Sequence, residues 1–297
     1  MITKETKKFL ATHSLRDKVK AYQELLKFRL SFLVAISAVF GLAIAAEGSA
    51  TGLEMFMIGL GGLMITGASN ALNQVFEKDL DAQMNRTQDR PLPTLRLSET
   101  EAISFAIIIG TLGILLIGAF FNLPAALLGI IGLLSYAFVY TPMKKISPIA
   151  VFIGAIPGGL PPLIGWVAWT GEIGMGGWIL FIFQFFWQFP HFWAIAWLLD
   201  EDYKKAGFKM LPSSSGKSKF SASLILMYTF TMIPLVFFVW TSGMAGNIGL
   251  IVLASLGLLF CIPAFKLYKT LDDKHAKTLM FASFLYLPLS QLAFLFG

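Results

Sequence analysis

The sequence predicts an all-α polytopic membrane protein. Of its 297 residues, 56% are hydrophobic and 13% are charged, and the mean hydropathy is +0.72. The apolar residues are gathered into repeated runs of about 17–25 residues, the length that a helix needs to cross a bilayer. The polar segments between these runs are too short to bury a hydrophobic core of their own. A separate soluble domain is therefore not expected.

The first 29 residues form a basic segment ahead of the first apolar run. This segment lacks the apolar core of a signal peptide, and the acids Glu5, Asp17 and Glu24 argue against a mitochondrial targeting sequence. A bacterial cytoplasmic (inner) membrane is thus the expected location. Helical apolar spacing in the second half of the segment favours an interfacial helix, formed by Val19, Tyr22, Leu25 and Leu26. The chain accordingly divides into a cytoplasmic basic segment, 1–29, and a membrane domain, 30–297.

Nine apolar runs follow, each long enough to cross a hydrocarbon core of about 30 Å as a helix. The expected spans are 30–46, 53–76, 100–121, 124–141, 147–168, 177–199, 220–241, 247–265 and 279–296. All 23 lysine and arginine residues lie in the N-terminal segment and in every second connection between the spans. The positive-inside rule then places the N-terminus and the long connections in the cytoplasm, and the C-terminus outside. This distribution explains the pI of about 9.3 without nucleic-acid binding.

The most unusual stretch is Asn73–Arg90, which reads NQVFEKDLDAQMNRTQDR and follows the second span directly. Asn73, Glu77 and Asp81 are spaced i, i+4, i+8, so on a helix that continues out of the membrane they share one face. Oxygen ligands on one face suit Mg²⁺, and Mg²⁺ binds a diphosphate that carboxylates alone would repel. The stretch therefore indicates an enzyme.

A second acidic cluster, Asp200–Tyr203, follows the sixth span and is expected at the same membrane border. Acids near a membrane interior usually face a cavity or a partner, so two such clusters on one side favour a shared site over two solvated loops. Basic residues in the same connections supply charges suited to an anionic substrate; they are Arg86, Arg90, Lys144, Lys145 and Lys204. The single cysteine, Cys261, supports no disulfide or Cys-based metal site.

Two membrane segments contain prolines. Ile156–Trp166 reads IPGGLPPLIGW, and its three prolines and three glycines predict that it is not a regular helix throughout. Carbonyls freed in this way are tolerated only against protein or a water-filled cavity, and a kinked packing helix is the alternative interpretation. Pro190 is expected to bend the sixth span just before His191.

His191 differs from the other two histidines, because His13 and His275 fall in basic segments that we expect to be solvated. It lies in FFWQFPHFW, nine residues before Asp200, which on a helix is roughly 13 Å deeper than the acidic cluster. A lone intramembrane histidine is more often a hydrogen-bonded packing residue than a ligand. At this depth, however, it would reach the inner end of a substrate whose diphosphate lies at the acidic clusters.

These features resemble the UbiA-type intramembrane prenyltransferases. The first motif of that family, Asn-x-x-x-Asp-x-x-x-Asp, is met by Asn73, Glu77 and Asp81, with Glu in the middle place. Its second, aspartate-rich loop is met by Asp200 and Asp202, although the usual Asp four residues further on is Ala206 here. The resemblance implies about nine helices around a central cavity. It also implies catalysis by Asn73, Glu77, Asp81 and Asp202, and Mg²⁺ held by these residues and Asp200.

Within the family, the resemblance is to the branch that farnesylates haem B. The strings that carry it are NQVFEKDLDAQMNRTQDRPLP, YTPMKK, GAIPGGLPPLIGW and FWQFPHFWAIAW followed by DYKKAGFKMLP. The implied reaction joins the farnesyl group of farnesyl diphosphate to a porphyrin vinyl group and adds water, giving haem O and diphosphate. The resemblance implies diphosphate binding by Arg86, Arg90, Lys144, Lys145 and Lys204, and haem contacts from Trp187, Gln188 and His191. For His191, iron ligation, propionate orientation and water positioning all stay open.

Expected partners are haem B, farnesyl diphosphate and the lipid bilayer, together with haem A synthase or terminal oxidase assembly proteins. Three other interpretations remain at this point. The first is a prenyltransferase of the same family that acts on an aromatic quinone precursor. The second is a secondary transporter, because broken helices and intramembrane acids occur there too. The third, a non-enzymatic haem-binding assembly factor, would explain His191 but not the paired acidic loops.

Overall fold

Helices make up most of residues 15–296, the part of the chain that the computed structural model describes, and no strand occurs in that range. His13, Glu5 and the first half of the basic segment lie outside the described residues. The helices are α1 (Leu15–Leu25), α2 (Phe28–Ala46), α3 (Gly52–Phe76), α4 (Lys78–Asp81), α5 (Glu99–Phe120), α6 (Leu123–Leu134), a π-helical segment (Ser135–Tyr140), α7 (Thr141–Ile146), α8 (Ala150–Thr170), α9 (Met175–Leu198), α10 (Asp200–Lys205), α11 (Lys219–Phe230), α12 (Met232–Thr241), α13 (Asn247–Thr270) and α14 (Asp273–Phe296).

Nine helical stretches within residues 15–296 are long and apolar enough to cross a membrane. They are α2, α3, α5, α6 through α7, α8, α9, α11 with α12, α13 and α14. The prediction of an all-α fold with nine spans is confirmed. Because the spans alternate in direction, α1 and every second connection lie at one end of the bundle. We call this end, which carries the lysine and arginine residues, the basic end.

Local side-chain caps determine where several spans begin. Thr51 and Ser98 each form a capping box with the glutamate three residues later, at the starts of α3 and α5. In such a box, two backbone N–H groups that lack helical partners are satisfied reciprocally. Asn122 caps α6, and its side-chain nitrogen also donates to the carbonyl oxygens of Val167 and Ala168 at the end of α8. This cap therefore joins two neighbouring spans as well as starting one.

The spans α8 and α9 form the interior of the bundle, with 72% and 61% of their apolar windows buried. Small residues let α2 approach α8 closely. A Cβ atom added to Gly41 of α2 would collide with the carbonyl of Pro162, and one added to Gly165 of α8 would collide with the carbonyl of Ala38. Such backbone contacts are typical of membrane helices, where packing replaces the hydrophobic effect as the driving force.

The prediction that 156–166 is not a regular helix throughout is wrong, because α8 runs without interruption through its three prolines. A proline at position 162 leaves the carbonyl of Gly158 without its usual helical donor. The side-chain nitrogen of Gln184, in α9, donates to that carbonyl at 2.8 Å. The neighbouring helix thus satisfies a backbone group that the proline frees. Pro190 likewise lies inside α9, which continues past it.

The fourth span differs from its predicted range, 124–141, because it continues to Ile146 and contains the π-helical segment. There the Thr141 N–H donates to the carbonyl of Tyr136, five residues earlier. The Thr141 hydroxyl donates to the same carbonyl at 3.0 Å. A π-helical turn changes the direction of the side chains that follow it, and here these include Lys144, which is buried.

The helix expected before the first span is present as α1. Leu25 at its end is buried, whereas Val19 is half-exposed. Two ion pairs attach this region to the connection before α5 and to α5 itself: Arg96 with Glu24 at 2.6 Å and Lys18 with Glu101 at 2.8 Å. Its location at a membrane surface stays a prediction.

Candidate active site

The three residues of the first acidic motif share one buried face. Although α3 ends at Phe76, helical hydrogen bonding continues, with the Glu77 N–H donating to the Asn73 carbonyl at 3.0 Å and the Asp81 N–H to the Glu77 carbonyl at 2.7 Å. Asn73, Glu77 and Asp81 are 1%, 4% and 0% exposed. The helix therefore directs all three side chains into the bundle at its basic end.

Each of these three side chains contacts a basic one. Nη1 of Arg90 lies 2.8 and 2.7 Å from the two carboxylate oxygens of Asp81, Nζ of Lys144 lies 2.8 Å from Oε1 of Glu77, and Nζ of Lys27 lies 3.3 Å from Oδ1 of Asn73. Three cations thus surround two carboxylates. Charges this close repel one another in a poorly solvated site, so an additional anion would be stabilised there.

The titration of two of these groups reflects the crowding. Burial raises the pKa of the Asp81 carboxyl above its ordinary value, and the adjacent Arg90 works in the opposite direction. Burial, and then the positive charges of Arg90 and Lys144, lower the pKa of the half-buried Lys27 ammonium well below its ordinary value. A metal ion together with an anion would favour the charged form of both groups, because the metal ion would stabilise the Asp81 carboxylate and the anion would stabilise the Lys27 ammonium.

The π-helical segment and the loop after α10 enclose Lys144 with aromatic rings. Its Nζ lies 4.7 Å from the ring centroid of Tyr140 and 5.6 Å from that of Phe208. Thr141 accepts a hydrogen bond from the side-chain nitrogen of Asn73 at 3.1 Å. Ring faces attract cations, so this lining holds Lys144 in place and is also suited to a carbocation.

The second acidic cluster contacts the loop that follows the first. The Asp202 carboxylate accepts hydrogen bonds from the backbone N–H groups of Asn85, at 3.4 Å, and Arg86, at 3.2 Å, in the loop after Asp81. Although burial works in the opposite direction, the bonds from the Arg86 N–H, the Lys205 ammonium and the Asn85 N–H hold the pKa of the Asp202 carboxyl below its ordinary value. Asp202 therefore stays ionised. The neighbouring Asp200 pairs with Lys204 at 2.6 Å.

A cavity of about 390 Å³ opens beside Glu77, between α3 and the π-helical segment. Phe76 and Phe138 form its outer wall, with their rings packed edge to face at 5.4 Å and each about half exposed. The full lining is Phe76, Glu77, Leu80, Ala137, Phe138, Thr141, Pro142, Lys145 and Phe208. Its volume is in the range of small-molecule sites, about 300–1,000 Å³. The cavity therefore joins the charged site to the lipid-facing surface.

His191 lies among aromatic rings between α9 and α14. Trp187 stacks on its imidazole, with centroids 4.7 Å apart and an angle of 15°. Nδ1 of His191 lies 2.7 Å from Oγ of Ser283 in α14. Gln188 points elsewhere, donating to the carbonyl of Ala155 in α8 at 3.1 Å. The structure thus brings Trp187 and His191 together, and Gln188 faces a different helix.

The arrangement of two acidic clusters at one end of nine spans agrees with comparisons with known proteins. The model of the UbiA prenyltransferase family matches residues 34–287. The chain belongs to the UbiA prenyltransferase family. It is therefore a multi-pass membrane protein and a prenyltransferase, and the interpretations as a transporter and as a non-enzymatic assembly factor are wrong.

Curated and structural relatives of this UbiA family member agree. A protein of Cytophaga hutchinsonii named protoheme IX farnesyltransferase is 44% identical over 280 residues, covering 94% of this chain and 98% of the relative. A solved structure of digeranylgeranylglyceryl phosphate synthase matches 94% of this chain and 98% of its own at a TM-score of 0.78 and 24% identity. A UbiA homologue from Archaeoglobus fulgidus, bound to GPP and Mg²⁺, matches 92% and 99% at a TM-score of 0.67 and 18% identity.

The donor set of this UbiA site fits a divalent metal ion that arrives with its substrate. Within residues 15–296, no three side chains of His, Cys, Asp or Glu are grouped as a ready-made metal site. The available ligands are carboxylate and amide oxygens, which hard divalent cations prefer. Mg²⁺ is usually bound by one or two carboxylates together with substrate phosphates. Glu77, Asp81 and Asp202 supply separate carboxylates of this kind, of which Glu77 and Asp81 pair with basic side chains and Asp202 accepts from backbone N–H groups.

Sequence reasoning did not single out Lys27, whose ammonium contacts Asn73 in the candidate site. The residue lies in the left-handed region, with φ of 47°, at the turn between α1 and α2. That turn directs its ammonium towards Asn73. A lysine immediately before the first span was the available signal, but it was indistinguishable from the other basic residues that set the topology. Of the predicted diphosphate ligands, Arg86 and Lys145 are exposed at the rim, and Lys204 pairs with Asp200.

Proposed function

We propose that the protein transfers the farnesyl group of farnesyl diphosphate to haem B and produces haem O. The observation that carries the donor site is the contact of the Asp202 carboxylate with the backbone of Asn85 and Arg86, which joins the second acidic cluster to the loop that follows the first. The assignment of haem B as the acceptor is supported by the similarity to the Cytophaga hutchinsonii protein named protoheme IX farnesyltransferase, which this chain matches over nearly its whole length. The same relative favours haem over an aromatic quinone precursor.

In this proposal the basic end binds the diphosphate. Lys27, Arg90 and Lys144 converge on one face of the site, and Arg86, Lys145 and Lys204 lie at its rim. These side chains stabilise the negative charge that develops on the leaving diphosphate. Bound Mg²⁺, held by Glu77, Asp81 and Asp202 with Asn73 and Asp200 beside them, would supply further neutralisation of that charge.

The chemistry depends on ionising the donor, because a vinyl group is a weak nucleophile. The bond between C1 of the farnesyl group and the diphosphate oxygen breaks, and the vinyl carbon forms a new bond to C1. The cation left on the porphyrin side chain then takes up water and loses a proton, which gives the hydroxyl group. Phe208, whose ring contacts the Lys144 ammonium, also lines the cavity, where an aromatic ring would stabilise positive charge. Exclusion of water by the apolar walls protects the farnesyl cation until it is attacked.

The farnesyl tail occupies the cavity of about 390 Å³ beside Glu77. Its walls are mainly apolar, whereas Glu77, Thr141 and Lys145 lie at its inner, polar part. A prenyl diphosphate has the same division into a charged head and an apolar tail. Phe76 and Phe138, which form the outer wall of the cavity, are about half exposed on the outer surface, so such a donor would enter the cavity between these apolar side chains directly from the bilayer.

The proposed location is the bacterial inner membrane, with the basic end in the cytoplasm, where water-soluble diphosphate is released. The distribution of lysine and arginine supports this orientation. Enzymes that use the product, namely haem A synthase or terminal oxidase assembly proteins, are the proposed partners.

The proposal is tested by incubating the purified protein with haem B, farnesyl diphosphate and Mg²⁺ and analysing the porphyrins by mass spectrometry. The expected product is haem O, formed only when all three are present. Parallel reactions contain hydroxybenzoate or a naphthoate in place of haem B. Prenylation of one of these aromatic acids without any haem O would overturn the assignment of the acceptor.

A further inference from the structure

The hydroxyl group of Ser283, in α14, determines which nitrogen of His191 carries a proton. Its Oγ lies 2.6 Å from the carbonyl oxygen of Met280 and 2.7 Å from Nδ1 of His191. A serine hydroxyl has one proton to donate, and a carbonyl oxygen only accepts. Both contacts are satisfied when the Ser283 hydroxyl donates to Met280 and the Nδ1–H of His191 donates to Oγ. The opposite choice would leave two oxygens facing each other without a proton.

The second nitrogen of the ring, Nε2, is therefore a free lone pair. A neutral imidazole carries a single ring proton, and a charged ring would be costly among the apolar side chains of the bundle. Nε2 makes no hydrogen bond to any residue in the range 15–296, and the His191 side chain keeps a small exposed surface. The ring is thus oriented by α14 through Nδ1, and Nε2 is left available to a ligand.

Ser283 also orients the aromatic ring that covers the imidazole. Its backbone carbonyl accepts a hydrogen bond from the indole N–H of Trp187 at 3.0 Å. Trp187 in turn stacks on His191, and Phe284 packs edge-on against it at 5.0 Å. One residue of the last span therefore holds both members of the stacked pair, its hydroxyl holding His191 and its carbonyl holding Trp187.

We propose that Ser283 is a positioning residue that presents Nε2 of His191 as an axial ligand to the iron of haem B. A histidine that binds a metal almost always donates its other ring N–H to an oxygen acceptor, and Ser283 supplies that acceptor. A porphyrin propionate would instead need a hydrogen-bond donor, which an unprotonated Nε2 does not offer. The tautomer that Ser283 imposes is the one that iron ligation requires.

This inference deepens the proposed function and rests on haem B being the acceptor substrate. The haem would be held through its iron at the level of His191, on the same helix that ends at the acidic cluster beginning with Asp200. The two substrates would then be held by independent contacts. Loss of the contact between Ser283 and His191 is expected to affect haem alone.

The test measures binding of haem B to the purified full-length protein without farnesyl diphosphate, by absorbance and electron paramagnetic resonance. The wild-type protein is expected to show the spectrum of a histidine-ligated haem. His191→Ala should lose that spectrum, and added imidazole should restore it. His191→Gln, which keeps a polar partner for Ser283 but no imidazole, gives the same comparison if His191→Ala does not fold.

The Ser283 variants test the positioning role. Ser283→Ala is expected to weaken haem binding about 10-fold or more, the usual effect of removing the partner of a metal ligand. Ser283→Thr, which keeps the hydroxyl, should restore binding. Ser290→Ala is the matched control, because Ser290 is a buried serine of the same helix that makes no hydrogen bond to His191. In turnover, Ser283→Ala should raise the KM for haem B and leave the KM for farnesyl diphosphate unchanged.

The outcomes separate this inference from the proposed function. If haem O forms but the haem spectrum is the same in His191→Ala as in the wild type, the inference is wrong and the proposed function stands. Equal haem affinities in Ser283→Ala and Ser290→Ala would also overturn the inference. If His191→Ala loses turnover but keeps the haem spectrum of the wild type, the inference is again wrong, and His191 would instead position water. If the His191-dependent spectrum appears but no haem O is made, the proposed function fails instead.

Discussion

Asp81 is the carboxylate of the first motif that is most completely buried, and its charge is held by Arg90 at 2.7 and 2.8 Å. Asp81→Asn keeps the size of the side chain but removes the charge that pairs Arg90 and that would hold the metal. We expect turnover to fall roughly 100-fold or more, the effect of losing one group that stabilises transition-state charge. Product formation measured by mass spectrometry gives the rate, and thermal unfolding in detergent shows whether the variant is folded.

The matched control is Asp79→Asn. Asp79 lies two residues earlier in the same short helix, and its side chain is 91% exposed and points away from the site. Its activity should stay close to that of the wild type. A loss as large as that of Asp81→Asn would show that general charge at the membrane border, rather than one carboxylate, supports the reaction.

Lys27 tests whether the turn before the first span takes part in binding the donor. Lys27→Met removes the ammonium that contacts Asn73 but keeps much of the apolar side chain. A hydrogen bond to a charged group contributes about 1.5–3 kcal/mol, so the KM for farnesyl diphosphate should rise roughly 10-fold or more. The KM for haem B should not change. Lys20→Met, at an exposed position of α1, is the control, and an equal rise there would contradict a specific contact.

The site residues differ in how far apart in the chain their partners lie, and this difference decides which of them the sequence could predict. Asn73, Glu77 and Asp81 follow one another at intervals of four residues along one helical stretch, so their spacing alone is enough to place them on one face. Lys27 reaches the same site only through a left-handed turn, and Ser283 reaches His191 from a span 92 residues further along the chain. Contacts of the second kind depend on how helices pack, which local spacing does not encode.

The sequence did not indicate the π-helical segment. A single π-helical turn does not change the hydrophobicity of an apolar run, so the composition of the run cannot reveal it. The π-helical segment supplies Phe138 to the outer wall of the cavity. Full burial of a phenylalanine contributes about 1.5–3 kcal/mol. Loss of a half-buried ring in Phe138→Ala should therefore cost about 1 kcal/mol and raise the KM for farnesyl diphosphate roughly fivefold.

The five-carbon donor dimethylallyl diphosphate separates contacts to the prenyl tail from contacts to the diphosphate head. Its tail is too short to depend on Phe138, so its KM should be the same in Phe138→Ala and in the wild type. Val139→Ala is the matched control, since Val139 is a half-exposed neighbour in the π-helical segment that does not line the cavity. If both donors are affected equally, the tail does not lie between α3 and this segment.

The helix α8 shows why proline content was a misleading signal. Proline removes a donor from the helix, and the sequence offered no partner for the freed carbonyl. Gln184 of α9 supplies one, and its own side-chain oxygen accepts a hydrogen bond from Gln291 of α14 at 3.2 Å. Gln184→Met should therefore destabilise the protein by about 0.6–1.7 kcal/mol, the range measured for hydrogen bonds between membrane helices. The free energy of unfolding in mixed micelles measures this, with Ile182→Met as a control at a partly buried apolar position; equal stabilities would contradict the role of Gln184.

At the scale of the whole molecule, the number of spans was predictable because each apolar run is long and the connections are polar. The lengths of several spans were less so: the fourth continues to Ile146, and the ninth begins at Asp273, six residues before its predicted start. Charged residues at these helix ends lowered the local hydropathy, but in the structure Asp273 binds Trp197 and Lys217. The partners of Asp273 come from other segments of the chain. Hydropathy alone therefore predicted a fourth span that ends too early and a ninth span that begins too late.

The orientation of the molecule in the membrane is testable with its own single cysteine as background. Cys261 is buried, so a membrane-impermeant maleimide should not label the wild-type protein in intact spheroplasts. Gln88→Cys, at the basic end, and Glu172→Cys, in the connection at the opposite end, introduce exposed thiols. If the basic end is cytoplasmic, as the positive-inside rule requires, Glu172→Cys should be labelled in intact spheroplasts and Gln88→Cys only after permeabilisation. The reverse pattern would place the acidic site on the outer side, away from a cytoplasmic supply of prenyl diphosphate, and would contradict the proposed orientation.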